Sequence, residues 1–526
     1  MSLFHALLIG LIYYLANTSF LCGLAYFTTW RPVVNGFLVG LALGEPAQGA
    51  LVGALINVLY LGYLSVGGTL GIGDAALAGI TGATASIMLA VPPAMATGVG
   101  VVVGVLLGNL GFPLLTLRLK LDGRLVRRMD AAAEQGNARA VTWLNIAPAQ
   151  ALLFAITAPA AAALALMIGA LGPLAGLLPD ALTRGLSIAG MGLSGALGIA
   201  LAMRFVFQRW GIAFFLAGFA LAGVSGSLSL IADISVAVLL CVTAGSLIAI
   251  LAGTARLRRD ARHSRRLPLT PFWLWQCFSH SAYSFERLQG SGFAGALAPL
   301  IERVCATLED RKDALKRQLA FFNTEVNLGA MLVSIVARME AERAAGRATA
   351  TEIEKTKSTL MGALAGFGDP LIQGALLPCV LSTALVILFS EFAANPREPA
   401  LTGLVLYVAA IGSLIFAVGW LCYQAGDAFG RDAVTQLLGS PIVVRGAEAA
   451  RGITAFMLGA LVTSPWVVSL PPGPPPGGPL EFVRLGASLL LTLALWGLSW
   501  RIYSRPMLLW IGLLACGVLM ALNGVI

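Results

Sequence analysis

The sequence predicts an all-α polytopic membrane protein, with two modules of broken, re-entrant helices and a cytoplasmic amphipathic helical layer. Three observations predict it. The hydrophobic fraction is 58%, above the roughly 45–50% of ordinary soluble chains. Charged residues make up 11% of 526 positions, less than half the roughly 25% typical of soluble chains. Long apolar runs recur in both halves, and about 20 such residues cross a hydrocarbon core. A cytosolic globular enzyme, a nucleic-acid binder and a disordered chain are thereby excluded. The 61 Gly and 25 Pro add that many helices are broken or closely packed.

The elements follow in order. Residues 3–29 and 33–64 are apolar runs separated by Trp30-Arg31-Pro32. The second is too long for one simple span and holds Gly36, Gly40, Gly44, Pro46, Gly49 and Gly53. Breaks there need protein or a polar cavity around the freed backbone. Residues 65–117 continue apolar and Gly-rich. Arg118, Lys120, Arg124, Arg127 and Arg128 then form a basic cluster. Runs at about 144–172, 181–203, 211–229 and 231–252 precede the densest basic stretch, Arg256 to Arg266. Four crossings between two basic clusters put both on one side, which the positive-inside rule makes cytoplasmic.

Residues 267–358 regain charge in helical patterns. Leu315, Leu319, Phe322 and Val326 have helical spacing and read as an amphipathic helix. Membrane runs resume at about 360–391, 401–424, 453–470 and 481–500, with a last span ending at Ile526. The uncharged, Pro-rich stretch 471–479 suits an outer turn. The expected domains are a membrane module (1–255), a basic cytoplasmic linker (256–270), a cytoplasmic or interfacial helical region (271–358) and a second membrane module (359–526). The arrangement reads as two subunits joined end to end.

The net charge of +9 marks cytoplasmic loops and no nucleic-acid partner. The seven Cys include no C-x-x-C pair, which argues against a disulfide framework or a zinc site. With no Lys or Arg before Arg31, the N-terminus lacks the basic region of a cleaved signal peptide. None of His5, His263 and His280 stands at metal-ligand spacing from a Cys or carboxylate. No Walker loop occurs. No metal, no cofactor and no catalytic residue are therefore expected.

Charges inside membrane segments are functional candidates by default. The first module offers Glu45 in Gly44-Glu45-Pro46 and Asp74 in Gly71-Ile72-Gly73-Asp74. The second offers Asp369 in Gly366-Phe367-Gly368-Asp369-Pro370. Paired interrupted segments in two halves point to a substrate site near the midplane. Carboxylates beside freed backbone groups suit sugar hydroxyls. The rival reading is that each Asp caps a helix start. An intramembrane aspartyl protease is disfavoured, because no Tyr-Asp pair occurs. Glu286 and Arg287 alone read as a local ion pair on an exposed helix turn. Phe321-Phe322-Asn323-Thr324 reads alone as an amphipathic helix ending in a polar cap.

At these residues the sequence resembles the membrane components of the bacterial sugar phosphotransferase system, mannose–fructose–sorbose type. Residues 1–255 resemble the IIC component through Arg31-Pro32, Leu43-Gly44-Glu45, Gly53-Ala54-Leu55 and Asp74-Ala75-Ala76-Leu77-Ala78. Residues 267–526 resemble the IID component through Phe285-Glu286-Arg287-Leu288-Gln289-Gly290, Phe321-Phe322-Asn323-Thr324 and Leu360 through Pro370. The resemblance implies a fused, multi-pass sugar permease of the inner membrane, a trimer by family pattern. It implies a separate cytoplasmic IIB partner, phosphorylated on His, that passes its phosphoryl group to the arriving sugar. The substrate-binding residues it implies, with their neighbours, are Glu45, Asn57, Asp74, Tyr283, Ser284, Glu286, Arg287 and Asp369. Arg287 is expected to pair with Glu286 and hold the module interface, or to stabilise the incoming phosphoryl group. Five positions depart from the family pattern. Asn57 replaces a Glu, Gly73 a Pro, Tyr283-Ser284 a Trp-Asn pair, and Gln373 an aromatic. The sugar stays open between a hexose, a polyol and an amino sugar. Release of unphosphorylated sugar and a non-transporting receptor or scaffold are the alternatives.

Overall fold

The computed structural model describes residues 1–19, 24–62, 73–207, 210–260, 266–468, 479–501 and 506–523. All regular structure among them is helical, and β pairing is limited to two isolated bridges, Ser284 with Leu288 and Leu288 with Phe322. Helix α1 (Leu3–Asn17) starts on Ser2, whose hydroxyl accepts from the His5 N–H. A single turn, α2 (Leu24–Phe27), follows. The apolar run 33–64 then resolves into a hairpin of α3 (Pro32–Leu43) and α4 (Pro46–Leu59). Pro suits the first turn of both, since its missing N–H is not needed there. Gly44 ends α3 at φ +86, a left-handed cap that glycine adopts without strain.

At 12 and 14 residues, these helices are about 18 and 21 Å long. Neither spans a hydrocarbon core of about 30 Å, so the break at Gly44-Glu45 makes a re-entrant hairpin. Glycine lets its arms touch: a Cβ on Gly36 would lie 2.5 Å from the Gly49 carbonyl oxygen. A second hairpin pairs α5 (Ala75–Met88) with α6 (Pro93–Gly108).

Only Asn109 and Leu110 separate α6 from α7 (Gly111–Glu134). Helix α8 (Ala138–Ala175) runs 38 residues through Pro148, Pro159 and Pro173. Helices α9 (Asp180–Ile188) and α10 (Ser194–Val206) are joined by a π-helical turn. After α11 (Gly211–Ser225), α12 (Ser229–Ile248) continues through another π turn into α13 (Thr254–Asp260). Part of the basic linker, 261–265, lies outside the described residues.

Four helices then build the helical region: α14 (Thr270–Phe278), α15 (Gly290–Val304), α16 (Leu308–Leu319) and α17 (Val326–Ala344). Helix α16 is amphipathic, with Leu315 and Leu319 buried. Its inner face also carries the buried Arg317 and Gln318. Helix α18 (Ala350–Leu371) runs unbroken across residues 358 and 359, starting on a Thr349–Glu352 capping box.

The expected interruption at Gly366–Pro370 is not an unwound stretch. The α-helix continues through it into a π turn at Ile372–Leu376 and then α19 (Leu377–Ala394). Pro370 cannot donate to the helix ladder, and a π bulge absorbs such a fault without opening the chain. Helices α20 (Thr402–Phe429), α21 (Arg431–Leu438), α22 (Pro441–Val462), α23 (Pro479–Arg501) and α24 (Pro506–Leu522) complete the chain. Residues 469–478, most of the expected Pro-rich turn, lie outside the described residues.

Seven of these rods, counting joined helices as one, are long and apolar enough to cross a membrane. The protein is a multi-pass membrane protein. Its halves are interleaved and share one core: α9 packs on α24, α10 on α23, α11 on α22, and α12 on α19 and α20. The two halves follow end to end along the chain, and in space several helices of one half bury a face against the other.

Candidate functional site

The richest polar cluster lies where α1, α7 and α8 meet the irregular segment 279–289. That segment is held on both sides. Asn145 of α8 donates to the Phe278 carbonyl (3.1 Å) and accepts from the Ala282 N–H (3.3 Å). Gln150 of α8 donates to Ser281 Oγ (2.7 Å) while its carbonyl accepts from Tyr14 and Thr18 of the α1 region. Arg118 of α7 donates to the carbonyls of His280 (2.5 Å) and Ser281 (3.1 Å). It also pairs with the fully buried Asp122 at 3.3 Å. From the other side, the Gln289 amide takes the place of a backbone strand. It accepts from the Thr324 N–H (3.0 Å) and donates to the Thr324 carbonyl (2.9 Å).

His280 sits at the centre of this cluster. Its Nε2 faces the Gln289 amide nitrogen at 3.2 Å and its Nδ1 faces Ser279 Oγ at 3.1 Å. The amide nitrogen is only a donor, so Nε2 accepts and Nδ1 carries the proton. Burial, then the Arg118 charge, holds the imidazole down at about 4. His280 is therefore neutral at physiological pH. Tyr283 stacks on it at 5.3 Å. Next to Tyr283, Ser284 is buried and its Oγ has no partner among the described residues.

Asp74 caps α5. Its Oδ1 accepts from the N–H groups of Ala76 (2.9 Å) and Leu77 (3.1 Å), and its Oδ2 accepts from the Tyr13 hydroxyl at 2.6 Å. Asp74→Ala removes a cap worth about 1 kcal/mol and strands a buried tyrosine hydroxyl at a further cost of about 1–3 kcal/mol. Asp74→Asn keeps the Oδ1 acceptor, and its NH2 can donate to the Tyr13 oxygen. We expect Asp74→Asn to reach the membrane folded and Asp74→Ala to melt well below it, as read by size-exclusion thermal shift. Equal melting of the two variants refutes the capping role.

Asn57 is fully buried on α4. Its Oδ1 accepts from the Val33 N–H, one of the orphan donors at the start of α3 (3.3 Å), while its Nδ2 has no partner among the described residues. Glu45 is exposed at the hairpin tip, and its side chain caps nothing.

Arg287 makes a forked pair with Asp130 of α7 (2.8 and 3.1 Å) and donates to the Leu319 carbonyl (3.0 Å). It thus ties the two halves together. The expected local pair with Glu286 does not form; Glu286 is exposed. The segment is no helix turn either, since Leu288 holds φ +47. Below it, Phe322 packs on Phe293 at 4.2 Å in the loop between α16 and α17. The expected amphipathic helix through Phe322 stops at Leu319.

Lys357 of α18 donates to the carbonyls of Arg317 (3.2 Å) and Gln318 (3.0 Å) at the end of α16. Arg317 in turn makes a buried forked pair with Glu340. Asp369 is half-buried on α18 rather than at a helix start. The neighbouring Gly368 packs against Glu325, which caps α17 through the Leu328 N–H (2.8 Å) and accepts from Asn327 (2.8 Å). Burial pushes the Glu325 carboxyl up to about 7, with Asp369 adding to the rise.

Two family descriptions match this chain, in order. Residues 3–249 match the phosphotransferase-system sorbose-specific IIC component, and residues 267–472 match the mannose/fructose/sorbose family IID component. A sorbose-specific IID component of Klebsiella pneumoniae is 31% identical over 39% of this chain and 74% of its own length. One from Lacticaseibacillus casei is 30% identical over 38% of this chain and 68% of its own. A mannose-specific IIC component of Escherichia coli K12 is 26% identical over 36% of this chain and 69% of its own. The chain belongs to the mannose/fructose/sorbose phosphotransferase family, as a IIC component fused to a IID component.

The polar cluster is therefore the seam between the IIC and IID parts. Of the expected residues, Tyr283, Ser284 and Arg287 lie on it. Asp74 reaches its edge through Tyr13 on α1, whose next residue, Tyr14, bonds Gln150. Asn57 stands at the start of α3. Glu45 and Glu286 are exposed, and nothing brings them into the seam. Sequence reasoning missed Arg118, Asp122, Asn145, Gln150, His280 and Glu325. Arg118 was read as part of the basic loop. Polar residues in the otherwise apolar run of α8, Asn145 and Gln150, were the signal that could have found the seam. The IID part also has a cavity of about 280 Å³ between the ends of α15 and α17, lined by Cys305, Asp310 and Arg343. Burial raises the Cys305 thiol there, which disfavours a nucleophilic thiolate.

Proposed function

We propose that this chain is the membrane-embedded sugar permease of a mannose-type phosphotransferase system, coupled to phosphorylation by a separate IIB component. The observation that carries this reading is the ordered match to IIC and then IID within one interleaved core. The relatives are sorbose- and mannose-specific components, so a hexose or related sugar is the substrate class. Ser284 Oγ and Asn57 Nδ2 support a sugar path. Buried polar atoms without a partner are uncommon, and sugar hydroxyls can both donate and accept. Tyr283 supplies an aromatic face beside Ser284. Asp369 and Asp74 are kept as candidate sugar contacts, with Arg287 as the clamp that sets the two halves. Glu45 and Glu286 enter the path only through a rearrangement of the hairpin tip and of the 283–290 segment. The phosphoryl group leaves a histidine nitrogen of IIB and goes to a sugar hydroxyl on the cytoplasmic side. The working assembly is a homo-oligomer, a trimer by resemblance.

The test is the chemical form of the product. Cells lacking their own sugar permeases receive this chain with or without a cognate IIB and its phosphoryl donors. Labelled sugar accumulates as sugar phosphate only when both are present. Free sugar inside the cell despite a working IIB assigns the chain to uncoupled transport. No accumulation at all, at normal expression, assigns it to a receptor or scaffold.

A further inference from the structure

Helix α7 exposes a stripe whose chemistry changes along its length. Approaching from α6, the exposed positions before Lys120 are Leu106 (45%), Leu110 (42%), Pro113, Thr116 and Leu117 (46%). The next exposed positions are Lys120, Arg124, Arg127 and Arg128. The spacing i, i+4, i+7, i+8 puts these four on one helical face, and Leu117 precedes them on it at i−3. None of the four makes an ion pair with a described residue. Two nearby acids on the same helix are committed elsewhere, Asp122 to Arg118 and Asp130 to Arg287; Glu134 lies near the helix end.

The rod formed by α12 and α13 repeats the pattern. Leu240 (52%), Leu247 (52%), Ile248 (63%) and Leu251 (74%) are exposed. Ala255, Arg258 and Arg259 continue that exposed face. Arg256 is paired with Asp260, at 3.8 Å, which leaves Arg258 and Arg259 without an ion pair among the described residues.

We infer that these two basic helix ends bind the phosphate headgroups of anionic phospholipids in the leaflet that their rods leave. An apolar stripe facing outward meets acyl chains. The position just beyond it on the same face meets the headgroup layer, where each Lys or Arg is attracted by anionic lipid. Arg and Lys reach outward from such a position with their apolar stems still in the interface. An acidic soluble partner needs basic side chains on a face turned away from the bilayer. Here they continue the face that meets lipid. The inference does not depend on which sugar is carried or on whether transport is coupled.

The test uses the full-length protein in phosphatidylcholine bilayers doped with spin-labelled phosphatidylglycerol or spin-labelled phosphatidylcholine. The motionally restricted fraction gives the relative association of each lipid. The wild-type protein prefers phosphatidylglycerol several-fold. The variant K120Q/R124Q/R127Q/R128Q loses most of that preference, and adding R258Q/R259Q removes the rest. A charge-keeping variant, R124K/R127K/R128K, retains it. Should the glutamine variants fail to fold, salt decides on the wild-type protein: the preference falls between about 0.05 M and about 0.5 M NaCl, as the screening length shrinks. Equal binding of the two lipids by the wild type, or a preference insensitive to salt, overturns the inference. Preference unchanged in the glutamine variants, with capture of phosphorylated IIB lost, also overturns it and gives the stripes to the protein partner.

Discussion

Arg118→Met is expected to separate the IIC and IID parts at their seam and to destabilise the chain by about 3–5 kcal/mol. The figure is the cost of removing one partner from a buried ion pair, because the remaining charge has neither water nor counter-ion. Asp122 is fully buried, and Arg118 is 8% exposed. The same substitution takes the donor from the His280 and Ser281 carbonyls, so segment 279–289 keeps only its Arg287–Asp130 tie to α7. Melting of detergent-solubilised protein, followed by size-exclusion fluorescence, reads the loss. The double variant R118M/D122L recovers part of it, since replacing both partners by apolar groups leaves no stranded charge. A single variant that melts with the wild type shows that the seam is held by packing alone. The Arg287–Asp130 pair across the same seam is about one-third exposed, so its loss is expected to cost only about 0–1 kcal/mol.

Glu340→Ala is expected to be comparably severe, and it acts on the IID helices alone. Both carboxylate oxygens accept from Arg317, and one also accepts from Gln318. The side chains of Arg317 and Glu340 are 3% and 1% exposed. Removing Glu340 takes the paired carboxylate from the buried Arg317 guanidinium, with the Lys357 side chain of α18 close to the same helix end. The expected loss is about 3–5 kcal/mol, seen as little folded protein at the membrane. R317M/E340L is expected to restore much of it. Because Lys357 closes the end of α16, and α16 gives its Leu319 carbonyl to Arg287, failure here spreads to the seam. Normal expression and melting of Glu340→Ala would show that Arg317 finds another counter-charge.

Composition and apolar run lengths make the chain a multi-pass membrane protein, and the order of motifs makes it IIC followed by IID. Both were legible because a bilayer restricts composition strongly and because the motifs are local in sequence. The hairpin at Gly44-Glu45 was legible too: only glycines at 36, 40, 49 and 53 allow such close helices. Partner choice was not. Arg287 stands next to Glu286 in sequence, yet it pairs with Asp130, 157 positions away. Sequence adjacency says nothing of which side chains a turn with a residue at φ +47 sends the same way. Arg118 looked like one more loop cation until α7 placed it over the 279–289 segment.

What the sequence by itself determined is the class, the family and the helix break at Gly44-Glu45. Those follow from local chemistry: hydropathy, glycine and proline. The tertiary structure decided which charges are buried, which halves interleave, and which polar groups are satisfied. It alone shows Asp74 as the cap of α5, Asp369 within an unbroken helix, and Ser284 and Asn57 with partnerless polar atoms. Burial and pairing depend on residues distant in the chain, and the free energy of a charged or polar group is set by what surrounds it in space.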